Sequence, residues 1–197
     1  MARTREFDEQ AVLEKARDLF WERGYTATSI RDLEKHLGIS RSSIYLFFGG
    51  KRELYDRTLT AYREENMTRL AKELQEAPNL RQALIDLFTT TARQSYPDCK
   101  SQARGCYVVN ATTEMANSCS DALRFVAENR QQFVAIMQAA LARAQEQGKL
   151  DKQANPIELA NYLFVCYNGL QVVVQTNIER EALVKAVLRS VEGLPWT

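Results

Sequence analysis

Between Lys35 and Arg52 the chain carries four cations, Lys35, Arg41, Lys51 and Arg52, and no acid. Charge runs are usually solvated faces, so this alone is modest evidence for a polyanionic partner. Within it, Arg41, Ser42 and Ser43 are small polar or basic residues followed by five bulky ones, Ile44 to Phe48. An arginine can bond guanine as a two-pronged fork and serine can bond either edge, so Arg41, Ser42 and Ser43 are the candidates for reading bases. The plainer alternatives are that Ser43 faces inward and that Arg41 meets only phosphate.

Other chemistry is sparse. Cys99, Cys106, Cys119 and Cys166 stand 7, 13 and 47 residues apart, with no Cys-x-x-Cys pair and one histidine, His36, in the chain. That excludes a zinc ribbon or histidine-based metal site, and free thiols in a reducing compartment are expected. His36 is read as a surface residue. There is no glycine-rich phosphate loop and no Gly-x-Ser-x-Gly elbow, so neither an enzyme nor a cofactor is expected. Arg104-Gly105-Cys106 places a thiol at a helix start, where the dipole and the arginine would lower its pKa and favour reactivity. The plain reading of Cys106 is a buried, inert cysteine.

At 197 residues, 45% hydrophobic and 26% charged, the chain can build one sizeable core or two small ones. A net charge of +1 argues against coating an acidic polymer over the whole surface. With no signal-peptide order and no apolar run of about 18 residues, a cytoplasmic protein with no membrane partner is expected.

The elements that must position these residues are helices, for apolar periodicity is helical throughout and no sheet-like alternation appears. Asp8 caps a first helix, with Phe7 and Val12 as a hydrophobic staple, and Gly24 stops it. Thr28 or Ser29 caps a second, with Asp32 as partner and Ile30, Leu33 and Leu37 inward, ending at Gly38. Ser40 caps a third, stapled by Ile39 and Ile44, whose Ile44, Phe47 and Phe48 anchor it while Arg41, Ser42 and Tyr45 face away. Two short helices joined by a glycine turn, the second with a small polar face, make a helix-turn-helix whose second helix enters the major groove.

Residues 26–54, TATSIRDLEKHLGISRSSIYLFFGGKREL, resemble the DNA-binding region of the tetracycline-repressor (TetR) family, including its Tyr-x-aromatic-Phe ending at Tyr45, Phe47 and Phe48 and the following Lys51. The resemblance spans about residues 8 to 56. It implies phosphate contacts at Thr28, Tyr45 and Lys51; Thr28 also lies at a helix start, where backbone amides favour an anion. Tyr45 could instead be packing. Two positions depart from the family's habit: Gly50, where serine or asparagine is common, and Leu46, where histidine is frequent and whose backbone contact is therefore in doubt.

From Lys51 to about Glu76 one long helix continues without a linker, giving a reading domain at residues 1–50 and a helical ligand-binding and dimerisation domain at 51–197. Further helices are expected over about 80–94, 105–116, 120–147, 156–177 and 179–191. The stretch YLFVCYNGLQVVV, residues 162–174, is apolar nearly all round, and the last helix offers Leu183, Val184, Val187, Leu188 and Val191. Two such helices from each of two chains, over about 156–191, would form an isologous four-helix interface. The alternative is a central helix of a monomeric bundle.

A dimer carries two reading heads to two half-sites, hence a palindromic double-stranded operator. The resemblance implies release by a small-molecule inducer that binds the bundle. Candidates to line its site are Cys106, Tyr107, Asn110, Thr113, Phe133, Met137, Tyr162, Phe164, Cys166 and Tyr167, although aromatics and methionines at helical spacing are often plain core. A Gly-Cys-apolar-apolar-Asn stretch at Cys106 also resembles a branch of the family with members that sense electrophiles or oxidants. The competing reading on the same scaffold is a DNA-bound structural or division-linked factor without ligand release.

Overall fold

Asp8 begins the first helix as its sequence suggests, its carboxylate accepting the amides of Gln10 (2.9 Å) and Ala11 (3.4 Å). In the computed structural model, which describes residues 7–93, 104–115 and 120–197, nine helices follow one another with no strand among the described residues. They are α1 (Glu9–Arg23), α2 (Ile30–Leu37), α3 (Arg41–Phe48), α4 (Lys51–Glu76), α5 (Leu80–Arg93), α6 (Tyr107–Met115), α7 (Ser120–Glu146), α8 (Pro156–Val173) and α9 (Arg180–Glu192). Ser29 rather than Thr28 caps α2, in a reciprocal box with Asp32. Ser40 caps α3 by accepting the amide of Ser43 at 3.1 Å. Gly38 and Gly49 close α2 and α3 in the left-handed region. Cys99 and Cys119 lie outside the described residues.

The helices enclose two cores. The first gathers α1 to α3 through Val12, Leu19, Phe20, Leu33, Ile44 and Phe48, together with Leu54, Tyr55 and Leu59 of α4 and Tyr107, Val108, Ala111 and Met115 of α6. The reading unit's core therefore runs past residue 50 into the first turns of α4 and across to α6. The second core is the bundle of α4, α5, α7, α8 and α9, centred on Leu84, Phe88, Met137, Leu141 and Leu163. No described helix is long and apolar enough to cross a membrane.

Two expectations need correction. The apolar stripe of α9 is not free for a partner: Leu183, Val184, Val187 and Val191 are buried inside the chain's own bundle, where α9 packs chiefly on α5. Helix α8 ends at Val173, short of Asn177, because the next residues turn: the Thr176 amide bonds Val173 O at 2.9 Å, and Arg180 donates to Val174 O at 2.9 Å. What α8 leaves uncovered is a ridge of Tyr162, Val165, Val172 and Val173.

Leu141 is fully buried at the centre of the bundle. Leu141→Ala is expected to lower unfolding free energy by about 2–5 kcal/mol, measured by urea denaturation, since both transfer energy and a cavity are at stake.

Candidate nucleic-acid interface and bundle cavity

Helix α3 is held from one side. Ile44 and Phe48 are buried, and the Phe7 ring packs edge-on to Phe47 at 5.2 Å between centroids. The angle between α2 and α3 is set by Glu34, whose carboxylate accepts the Arg41 amide at 3.1 Å. On the other side Arg41, Ser42, Tyr45 and Leu46 face solvent. The Arg41 guanidinium stands 5.8 Å from the Tyr45 ring centroid. Ser42 and Ser43 hydroxyls both reach the Ser40 hydroxyl, at 2.8 and 2.9 Å, and Ser43 is half-buried.

The neighbouring cations differ in what already holds them. Arg52 is paired with Asp56 at 2.8 Å, and Arg57 with Glu9. Lys51 lies with its ammonium 4.1 Å from the centre of the Tyr25 ring; burial pulls its pKa down, and the Glu114 carboxylate pushes it back up. Thr28 is fully buried, its hydroxyl donating to Gly24 O at 2.7 Å. The hydroxyl is thus committed to the turn, and any anion meets this helix start through Ser29 and the amides. Gly50 has φ 118°, and a Cβ there would sit 3.1 Å from the Tyr45 ring. The glycine is what that backbone and the close tyrosine require.

Helix α6 ties this head to the bundle. At one end Glu114 accepts the amides of Tyr25 (3.0 Å) and Thr26 (2.7 Å) in the turn between α1 and α2. Burial raises the Glu114 carboxyl, but the two amides, the Thr26 hydroxyl and Lys51 outweigh it and leave its pKa below the ordinary value. At the other end the Asn110 side chain accepts from Gln175 at 3.0 Å and donates to Arg104 O at 2.9 Å. Gly105, at φ 64°, presses on α8 so closely that a Cβ would lie 2.5 Å from Gln171 O.

Between α4, α6, α7 and α8 lies a cavity of about 90 Å³. It brings together Cys106, Phe133, Phe164 and Tyr167 of the sequence candidates. The others lie elsewhere: Tyr107 is buried in the head's core, Asn110 bridges α6 to the turn after α8, and Met137 is buried in the bundle. Thr113 is exposed, its hydroxyl on Asn110 O, and Tyr162 is exposed near Cys166 and Ser190. The cavity adds Tyr62, Asn66 and Met67 from α4, Asn129 from α7 and Gln171 from α8. Their only sequence signal is the recurrence of amphipathic residues at i, i+4 and i+5 along α4.

Of the two readings of Cys106, the structure favours the buried cysteine over the low-pKa thiol. Burial pushes its thiol up, and the amides of Val109 and Val108 and the Tyr62 hydroxyl, 3.9 Å away, only partly offset this. A wider groove of about 230 Å³ beside the cavity is walled by the paired Arg52–Asp56 and Arg63–Glu128. No group of three or more ligating side chains that could hold a metal occurs among the described residues.

Comparison with known proteins agrees with this architecture. Residues 12–58 match the family model "Bacterial regulatory proteins, tetR family", and residues 81–188 match "Tetracyclin repressor-like, C-terminal domain". The chain belongs to the TetR family of transcriptional regulators, DNA-binding proteins and not enzymes. It is 31% identical to the uncharacterized HTH-type transcriptional regulator YezE of Bacillus subtilis (strain 168), over 83% of this chain and 84% of that protein. It is 26% identical to the HTH-type transcriptional repressor ComR of Escherichia coli (strain K12), over 93% and 87%. Among solved structures, a triple-cysteine mutant of the regulator CifR bound to 26-base-pair operator DNA superposes with a TM-score of 0.84 at 27% identity, covering 98% of this chain and all of that one. The reduced form of Escherichia coli NemR shares the fold, with a TM-score of 0.84 at 20% identity over 95% and 96%.

Two expected outcomes test the roles of these residues. Lys51→Ala should weaken binding to all sequences nearly alike and reduce the salt slope by about one unit, while Arg41→Ala should cost about 1–3 kcal/mol mainly on the preferred site, both read by fluorescence anisotropy against salt. Because its carboxyl is depressed in the folded state, Glu114 contributes stability above its unfolded pKa that is lost as pH falls through the folded one. Glu114→Ala, about 1 kcal/mol less stable than wild type at pH 7 after allowance for its exposure, should converge with it in urea melts well below the ordinary glutamate pKa of about 4.3.

Proposed function

We propose that the chain is a repressor that binds a palindromic operator as a homodimer and is released by a small molecule entering the cavity between α4, α6, α7 and α8. The observation that carries DNA recognition is the one-sided burial of α3: Ile44 and Phe48 are sealed while Arg41, Ser42 and Tyr45 are presented. Arg41, Ser42 and the half-buried Ser43 would read base edges, and Tyr45, Lys51 and the α2 start at Ser29, in place of the buried Thr28, would meet phosphate. Leu46, 66% exposed on the same helix, adds apolar surface suited to a thymine methyl or a sugar. The CifR mutant complexed with operator DNA supports binding of this fold to such a duplex.

The dimer rests on the α8 ridge of Tyr162, Val165, Val172 and Val173, an uncovered apolar face that α9 borders at Ser190. Pairing two such ridges about a twofold axis buries them and sets the spacing of the two heads. A ligand that binds better when that spacing is wrong lowers operator affinity by its differential affinity for the two states and no more. The cavity favours this reading over a ligand-independent structural factor.

A thiol-reactive inducer is the second reading, favoured by the position of Cys106 in the cavity wall and by the cysteine substitutions in the CifR mutant. The raised Cys106 pKa weighs toward a non-covalent ligand.

Val165, 69% exposed, makes its change cheap for the folded monomer. Val165→Glu should shift the protein from dimer to monomer in light scattering and abolish tight binding to the promoter next to its own gene in gel shifts. A monomeric wild type would sink the dimer. If Cys106→Ser still leaves the operator when challenged with inducer, release is non-covalent; loss of release only in that variant would instead support the thiol.

A further inference from the structure

Leu46 is 66% exposed, against 49% for its neighbour Tyr45. Helix α3 turns by about 100° per residue, so its buried pair, Ile44 and Phe48, brackets one direction and Leu46 projects about 180° away from it. Leu46 is therefore the residue of this helix that points most directly away from the head's core. Arg41 and Tyr45 lie on one flank of the outer face, about 140° and 100° round from Leu46. Tyr45 leans towards the start of α4, where a Cβ on Gly50 would lie 3.1 Å from its ring, and the Arg41 guanidinium rests over that ring. Ser42 and Ser43 flank Leu46 at about 40° and 60°. Both are short, and their hydroxyls reach back to that of Ser40 at 2.8 and 2.9 Å. Between them the leucine stands highest.

This placement discriminates between the surfaces a duplex offers. An aliphatic side chain makes no hydrogen bond, so against a base edge it either meets apolar surface or strips water from groups that it cannot satisfy. In the major groove the thymine C5-methyl is that apolar surface, whereas guanine, cytosine and adenine present donors and acceptors there. A residue on the flank of the helix meets sugar and phosphate and reads nothing. The centre of the outer face meets the groove floor, where the base edges lie. A leucine in this place thus disfavours a G·C pair and favours a thymine.

We infer that Leu46 is a specificity-determining residue, its side chain packing on the methyl group of one thymine in each operator half-site. The inference rests on the reading of α3 as the major-groove helix and adds to it the base that this side chain selects.

Selection of preferred duplexes from a random library by the full-length protein supplies the half-site. Each thymine of either strand is then replaced in turn by deoxyuridine, which removes the methyl group and leaves every hydrogen-bonding group in place. At one thymine the replacement should weaken binding by wild type about fourfold, as the loss of one buried methyl predicts. Leu46→Ala, already weaker on the thymine duplex, should be indifferent to it, and Leu46→Met, which keeps the apolar reach, should retain the preference. A half-site without thymine, no effect of deoxyuridine on wild type at any position, or an equal penalty in wild type and Leu46→Ala at every responsive position would overturn the inference. So would a loss in Leu46→Ala that is the same on selected and random duplexes, the mark of a sugar or phosphate contact. Failure of the underlying reading looks different: if wild type enriches no sequence at all, α3 reads no bases and the inference falls with it.

Discussion

The burial of Tyr107 at the crossing of the two halves is the contact on which the arrangement depends. Its ring, 1% exposed, meets Trp21, Tyr55 and Tyr62 at centroid distances of 5.9, 5.8 and 5.7 Å. Its hydroxyl lies 2.9 Å from that of Thr58, so the one polar atom carried into this core is satisfied. One side chain thereby fastens the first residue of α6 to α1 and α4. Burial correspondingly pushes the phenol well above its ordinary value, and the group stays neutral. Because the head's core reaches through α4 into α6, it is not a bead on a string, and a small N-terminal unit of three short helices gains a floor it could not build alone.

Electrostatics in the head are more economical than its cation count suggests. Of the cations around α3 and the start of α4, Arg52 and Arg57 hold acids of their own helices or of α1. Arg41 and Lys51 rest on the tyrosine rings of Tyr45 and Tyr25. A ring orients a cation without neutralising it, so the charge remains available to phosphate while the side chain loses less freedom on binding.

Local signals carried the first half of the fold well. Asp8, Gly24, Ser29, Gly38 and Ser40 act at short range, and each acts in the structure as its spacing suggests. The family and the all-helical class were likewise legible in residues 26–54. The misreadings were of another kind, since an apolar face announces that it will be buried but not against what. The stripe of α9 went inward to α5, and the ridge left open belongs to α8 alone. Tyr107 and Met137 have the composition of a ligand wall, yet they are core, and the cavity draws instead on α4. For the thiol both readings stood open in sequence, because a helix dipole is visible there and the depth of a sulfur atom is not, and burial favours the inert one. Glu114 carries no local mark whatever, for its partners lie 88 and 89 residues away.

Gly105 shows what such close packing entails. Its lack of a side chain lets the chain just before α6 rest against the Gln171 carbonyl and the Gln175 side-chain amide together. Rotamers are the usual shock absorbers of a protein interior, and the side chain in this joint, Gln175, is held by the Gln171 carbonyl at 2.9 Å and by Asn110 at 3.0 Å. Any sideways motion of α8 at that point is met by backbone and by this bonded amide, and α6, nine residues or about 13 Å long, is a stiff rod whose far end grips the α1–α2 turn. The joint thus has little mechanical play, and small movements arrive at the other end undiminished.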